Sequence, residues 1–151
     1  MNIIALDVDL HKIYAVSNDG TVLAKAEPSR ELVMGAISEH IGGAMDKTVL
    51  IEVSSPVMYI KDPGVIHNVL KWALWNITTA EAISTKLTNL GYQVLVAPSH
   101  VWTKGHDLKT RHAVANCKQP QKDLRECEAM IYYYQKDPKS WLPLPQYLEN
   151  L

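Results

Sequence analysis

Asn2-Ile3-Ile4-Ala5-Leu6-Asp7-Val8-Asp9 decides how the rest of the chain is read. The run is apolar enough to be a buried strand, yet it ends on carboxylates. A charge at the end of a core strand is costly unless something compensates it, and a metal ion is the usual compensation. A second case is Val49-Leu50-Ile51-Glu52-Val53, where a lone Glu sits inside another apolar run. Two strands that each place one acid in a core layer point to a shared cation.

Around the first stretch the pattern reads as three short strands. Ile3 to Val8 is the first and Lys12 to Ser17 the second. Asn18-Asp19-Gly20 is a tight-turn signal, after which Thr21 to Lys25 returns as the third. A helix opens at Pro28-Ser29-Arg30-Glu31, with Ser29 as N-cap and Leu32, Val33, Ala36, Ile37 and Ile41 at helical spacing; Gly42-Gly43 stops it. Thr48 to Val53 barely alternates and reads as a fourth, buried strand. Ser54 to Gly64 is expected to be a loop carrying Met58-Tyr59-Ile60. A long amphipathic helix follows from about Val65 to Leu90, bent near Thr78 and capped by Gly91. Tyr92 to Ala97 is the fifth strand, ended by Pro98. The next segment is expected to be mostly loop. A last helix spans about Pro120 to Gln135, and the tail from Asp137 is expected to be irregular.

This order is not the strict alternation of a doubly wound nucleotide fold. Three antiparallel strands, then two more each delivered by a helix, is the ribonuclease H-like order. The expected fold class is therefore α/β, a five-stranded mixed sheet (three antiparallel then two parallel strands) flanked by helices. The absence of a Gly-rich phosphate loop argues against a P-loop enzyme or a Rossmann dehydrogenase.

At 151 residues the chain is expected to be one domain, with an ordinary 47% hydrophobic and 21% charged composition. No run approaches the ~18 apolar residues of a membrane span, and the start lacks a secretory pattern. Cys117 and Cys127 have no metal-type spacing and read as reduced thiols, which fits a cytoplasmic location. The six histidines (11, 40, 67, 100, 106 and 112) lack zinc spacing as well. A net charge of −1 does not advertise nucleic-acid binding, but the charge is segregated. Lys104, Lys109, Arg111, Lys118, Lys122 and Arg125 face only Asp107 and Asp123 over one short stretch, with His106 and His112 in addition. Phosphate contact needs only such a local basic surface.

Asp123 and Glu126 are three apart on the last helix and share a face, which Cys127, Met130, Ile131 and Tyr134 extend as an apolar stripe. Alternatives stay open for each acid. Asp7 can cap a turn, Glu52 can pair with a Lys or Arg, and the helix acids can complement the helix dipole. Jointly these weaken, because the ribonuclease H-like fold puts the ends of its first and fourth strands beside its last helix. Several carboxylate oxygens converging from different elements are what two Mg²⁺ ions about 4 Å apart require. One ion activates a water and the other stabilises the leaving oxygen, so hydrolysis needs no covalent nucleophile.

Here the chain resembles the RuvC-like Holliday junction resolvases, especially the small phage-type members. Ile4-Ala5-Leu6-Asp7 looks like the family's first-strand acid and Leu50-Ile51-Glu52 like its fourth-strand Glu. Asp123-Leu124-Arg125-Glu126 looks like its acidic pair on the final helix. Val8-Asp9 stands where the bacterial pattern has Pro-Gly, so Asp9 can share the role of Asp7. Glu128-Ala129 also fits the family's acid-then-Ala signature, which leaves the fourth ligand open between Glu126 and Glu128. The resemblance implies a magnesium-dependent endonuclease that resolves four-way DNA junctions by paired nicks. Catalysis would rest on Asp7, Glu52, Asp123 and Glu126, with two Mg²⁺ ions per site that Mn²⁺ can replace, in a bacterial or phage-infected cell. Lys104, Lys109, Arg111, Lys118 and Lys122 would contact phosphates, and Met58 and Tyr59 would stack or wedge near the exchange point. It also implies a homodimer, for which Ile66, Val69, Leu70, Ala73, Leu74 and Ile77 on the long helix are the expected interface, core packing being the alternative.

A second relative is the catalytic domain of DEDD-type transposases, whose first strand similarly reads Asp-Val followed by a Lys. Those chains carry a large additional domain, so the stand-alone resolvase is the expectation. The competing functions are a transposase-like or branch- and flap-cutting nuclease, and a catalytically silent nucleic-acid-binding protein of the same fold.

Overall fold

The first strand becomes the centre of the sheet because its residues are apolar on both faces. Ile4, Leu6 and Val8 point into one core layer and Ile3 and Ala5 into the other. The computed structural model describes residues 1–54 and 66–151, without the side chains of Ile66, His67 and Val69. The strands are β1 (Ile3–Asp9), β2 (Lys12–Ser17), β3 (Val22–Glu27), β4 (Thr48–Glu52) and β5 (Gln93–Ala97). They form one sheet in the order β3-β2-β1-β4-β5. β1, β2 and β3 pair antiparallel, whereas β4 and β5 run parallel to β1. This is the ribonuclease H-like arrangement read from the sequence.

Helices cover both faces. On one side α1 (Arg30–Ile41) and α2 (Ile66–Asn89) close a layer containing Ile37, Ile51, Ile83 and Leu87. On the other, α5 (Lys122–Lys136) lays Leu124, Cys127 and Met130 against Ile3, Ala5 and Leu50. The cap of α1 is the one the sequence announces: Ser29 Oγ accepts the amide of Leu32, and Gly42 ends the helix at a φ of 61°. Gly91 takes a φ of 93° just after α2, a left-handed conformation that costs glycine nothing.

Two expectations need correction. The basic segment is not mostly loop, since it folds into α3 (Ser99–Trp102) and α4 (Leu108–Val114). Asp107 opens α4 by accepting the amide of Thr110 at 2.8 Å. With no buried residue of its own, α4 has no apolar period to read. The tail is not irregular either. Leu142 bridges to Val96 on the outer edge of β5, and α6 (Leu144–Glu149) buries Leu144 and Tyr147. Prolines 143 and 145 mark that start, because the first turn of a helix has no use for their missing amides.

Behind the ends of β1 and β4 lies a single buried amide. Asn76 of α2 donates to the carbonyls of Val8 and Glu52, each at 3.1 Å, and its Oδ1 accepts the amide of Ser54 at 2.9 Å. These bonds fasten α2 to both strand ends. Asn76→Ala leaves the Ser54 amide and both carbonyls short of a partner. We expect it to lower unfolding free energy by about 1–3 kcal/mol, read from urea denaturation.

Candidate active site

The register of two parallel strands sets the first pair of acids. Ala5 stands opposite Leu50. Two residues further along each strand, on the same face, come Asp7 and Glu52, at the C-terminal ends of β1 and β4. That face is the one α5 covers. Asp123 and Glu126 lie on the first turns of α5, where the apolar contacts of Leu124 and Cys127 bring the helix down onto the sheet. All four acids line one cleft of about 170 Å³, together with Asp9, Trp72, Leu108, Arg111 and Lys122.

The electrostatics follow from that crowding. Burial pushes the Asp7 carboxyl well above the usual carboxylate range, and the neighbouring charges of Asp123, Glu126 and Asp9 push it the same way. Glu52 is raised too, first by burial and then by Glu126 and Asp7, with Arg111 opposing. Glu52 Oε2 is buried without a hydrogen-bond partner among the described residues. Tyr14, opposite Asp7 on β2, has its hydroxyl raised by burial and by Asp123. The Cys127 thiol is raised by burial and by Asp7, which leaves it inert as the sequence implied.

Glu126 is the cleft acid that meets basic side chains. Its Oε1 lies 3.2 Å from Arg111 Nη1, and its Oε2 lies 2.9 Å from His112 Nε2. Both partners come from α4. Arg111 is pinned further by lying over the Trp102 ring, 5.3 Å from its centroid. Arg111 therefore sits inside the cleft with its side chain 13% exposed, not on the outer basic surface where the lysines were expected to place it. A cap signature at Asp107 was the sequence signal for this; it starts a helix that sets Arg111 and His112 side by side.

The remaining expected residues divide. Glu128 is not in the cleft; its carboxylate accepts the amides of Lys118 and Gln119 and holds the loop before α5. Geometry thus separates Glu126 from Glu128, half a turn apart. Asp9 lines the cleft rim, where its Oδ1 accepts from Trp72 Nε1 at 2.7 Å and from the Leu10 amide. Trp72, Leu108 and Tyr14 were not anticipated from the sequence. Lys104, Lys109, Lys118 and Lys122 are all exposed, and Lys122 borders the cleft. Met58 and Tyr59 lie outside the described residues.

No protein-family model matches the chain. No curated protein matches it in sequence. Among solved structures the chain is similar to T. thermophilus RuvC in complex with a Holliday junction substrate, at 14% identity and a TM-score of 0.48, with 95% of this chain and 100% of that chain covered.

Carboxylate oxygens are the ligands of hard divalent cations such as Mg²⁺ and Mn²⁺, so the donor chemistry of Asp7, Glu52 and Asp123 fits one, and the orphaned Glu52 oxygen adds to the fit. As the side chains stand, however, no group of three or more His, Cys, Asp or Glu among the described residues is set to hold a metal. Glu126 is turned instead to Arg111 and His112.

An acid whose carboxyl is raised in the folded state binds its proton more tightly there than in the unfolded chain. The stability this brings is present at low pH and is lost as pH climbs above about 4 toward the raised value. In metal-free buffer we expect Asp7→Asn and Glu52→Gln to raise the melting temperature at neutral pH and to flatten its fall between acid and neutral pH. Parallel melting curves for the variants and the natural chain would deny this coupling.

Proposed function

We propose that the chain is a divalent-metal-dependent, structure-selective DNA endonuclease that resolves four-way junctions, magnesium being the working ion. One observation carries the reading. Asp7, Glu52 and Asp123, from three different elements, meet with Glu126 in a single cleft whose only described lysine is Lys122 at the border. Buried like charges at this density are expensive to keep, and their usual return is metal and phosphate chemistry. A bound ion here would supply a water of lowered pKa and a Lewis acid for the phosphate. The chain's own residues do the rest. Asp7 and Glu52 are held by the sheet and Asp123 by α5, so their positions are fixed before substrate arrives. Lys122 and the exposed Lys104, Lys109 and Lys118 offer phosphate contacts around the mouth.

A second reading has one observation in its favour. Glu126 is drawn toward Arg111 and His112, and no group of three or more acids or other ligands among the described residues is set to hold a metal. That arrangement also suits a catalytically silent nucleic-acid-binding protein of the same fold. A transposase-like or flap-cutting nuclease shares the acids and differs only in substrate.

Incubation with four-way, three-way, flap and linear duplex DNA, in Mg²⁺ and in EDTA, separates these readings. We expect paired nicks in the four-way junction that EDTA abolishes. Asp7→Asn, Glu52→Gln and Asp123→Asn should each cut orders of magnitude more slowly while still binding the junction, and Glu126→Gln should be more damaging than Glu128→Gln. Neutralising Lys104, Lys109 and Lys122 should weaken binding and lower the log–log salt slope by roughly 0.9 per lost duplex contact. Junction binding without cutting in any metal would establish the silent protein instead.

We further propose a homodimer, since a four-way junction is nearly two-fold symmetric. Leu70 and Leu74 of α2 are 56% and 69% exposed, which is unusual for neighbouring leucines on one helix face. Ile77 instead packs against the core, so the expected interface narrows to the first half of α2. Leu70→Glu with Leu74→Glu should sediment as a folded monomer; an unchanged dimer would move the interface elsewhere.

A further inference from the structure

No hydrogen bond fixes the guanidinium of Arg111 against Glu126. Its Nη1 lies 3.2 Å from Glu126 Oε1, yet that oxygen is buried without a hydrogen-bond partner among the described residues, and so is Arg111 Nε. His112, by contrast, shares a hydrogen bond of 2.9 Å with the other oxygen of Glu126. The contact between Arg111 and Glu126 is therefore charge against charge, which has no preferred direction and leaves a long side chain its choice of rotamer. The side chain is nevertheless only 13% exposed and lines the cleft beside Asp7, Glu52 and Asp123.

What holds it there is a ring. The guanidinium lies over Trp102, 5.3 Å from the ring centroid. Trp102 is buried, stacked on Trp141 with centroids 5.7 Å apart and tilted against Tyr133 at 5.5 Å. Trp141 belongs to the tail, and its neighbour Leu142 is hydrogen-bonded to Val96 of β5. Both indole N–H groups are buried without a hydrogen-bond partner among the described residues. A buried unpaired donor costs stability, and a phenylalanine at position 102 would avoid that cost. What tryptophan adds is the strongest ring face for a cation.

In the nuclease reading a phosphate must enter a cleft lined by carboxylates, and Arg111 and Lys122 are the cations that line it. Lys122 is exposed, so the inner charge depends on Arg111 keeping its place. Resting on that reading, we propose that Trp102 is a positioning residue of the active site: its ring face fixes Arg111 among the acids, and turnover depends on that placement. Through Trp141 the tail is part of the same support.

The test uses the full chain and the variants Trp102→Phe, Trp102→Leu, Arg111→Gln and the Trp102→Leu/Arg111→Gln pair, each checked for folding by thermal melts. In EDTA, the Arg111 Nε–H resonance (assigned by its loss in Arg111→Gln) should sit upfield of a free arginine because of the ring current. Trp102→Leu should return it to the free position. In Mg²⁺, Trp102→Leu should lower kcat on the four-way junction by about tenfold or more while KM stays within about twofold. Trp102→Phe, with the weaker face, should fall between, and it carries the test if Trp102→Leu does not fold. On the Arg111→Gln background Trp102→Leu should cost no further kcat, because its effect passes through the missing guanidinium. An unmoved Nε–H resonance with unchanged kcat in the folded Trp102 variants would overturn the proposal. So would losses that simply add in the paired variant, since the ring would then act through packing alone. In both cases cutting by the natural chain leaves the nuclease reading standing. If the natural chain does not cut, both fall together.

Discussion

Mutual repulsion among buried carboxylates is the constraint around which this molecule is organised. Asp7 and Glu52 sit at the ends of two central strands, and α5 brings two more acids down upon them. A fold selected for stability alone would put Val or Leu there, as the rest of β1 and β4 does. Their raised proton affinities measure what the arrangement costs. Everything nearby works against that cost. Arg111 sets a positive charge against Glu126, His112 shares a hydrogen bond with it, Trp72 donates to Asp9, and Asn76 keeps the strand ends from splaying. Removing one partner of a buried pair such as Arg111–Glu126 strands a charge at a cost of roughly 3–5 kcal/mol.

Much of this was legible in the sequence, because the acids interrupt apolar runs. Asp7 and Glu52 stand out in β1 and β4 since a buried strand has no other reason to carry a charge. Asp123 and Glu126 stand out by spacing, three apart on the face whose stripe continues through Cys127 and Met130. Strand order was legible for the same reason: the turn at Asn18-Asp19-Gly20 forces a hairpin, and the helices after β3 and β4 force parallel returns.

What escaped the sequence has a common cause. Periodicity reports on apolar faces, and α4 has none to report. Hence Arg111 read as one more basic residue among lysines, although it is the member that turns inward. Glu126 and Glu128 could not be separated by spacing either, since a helix places residues two apart on opposite flanks and only packing says which flank meets the sheet. The tail was misjudged because its three prolines read as breakers, whereas two of them start a helix and the residue before them pairs with β5.

The Asn76 amide has a consequence for how the cleft is felt elsewhere. Its hydrogen bonds make the middle of α2 and the tips of two strands one mechanical unit. The Ser54 amide can meet solvent only when that unit opens, so it is a natural gauge of the cleft. Charge added or removed at Glu52 works directly on one of the atoms Asn76 grips, through the carbonyl of the same residue. Occupancy of the cleft is thereby written into the lifetime of a single backbone proton on the far side of the sheet.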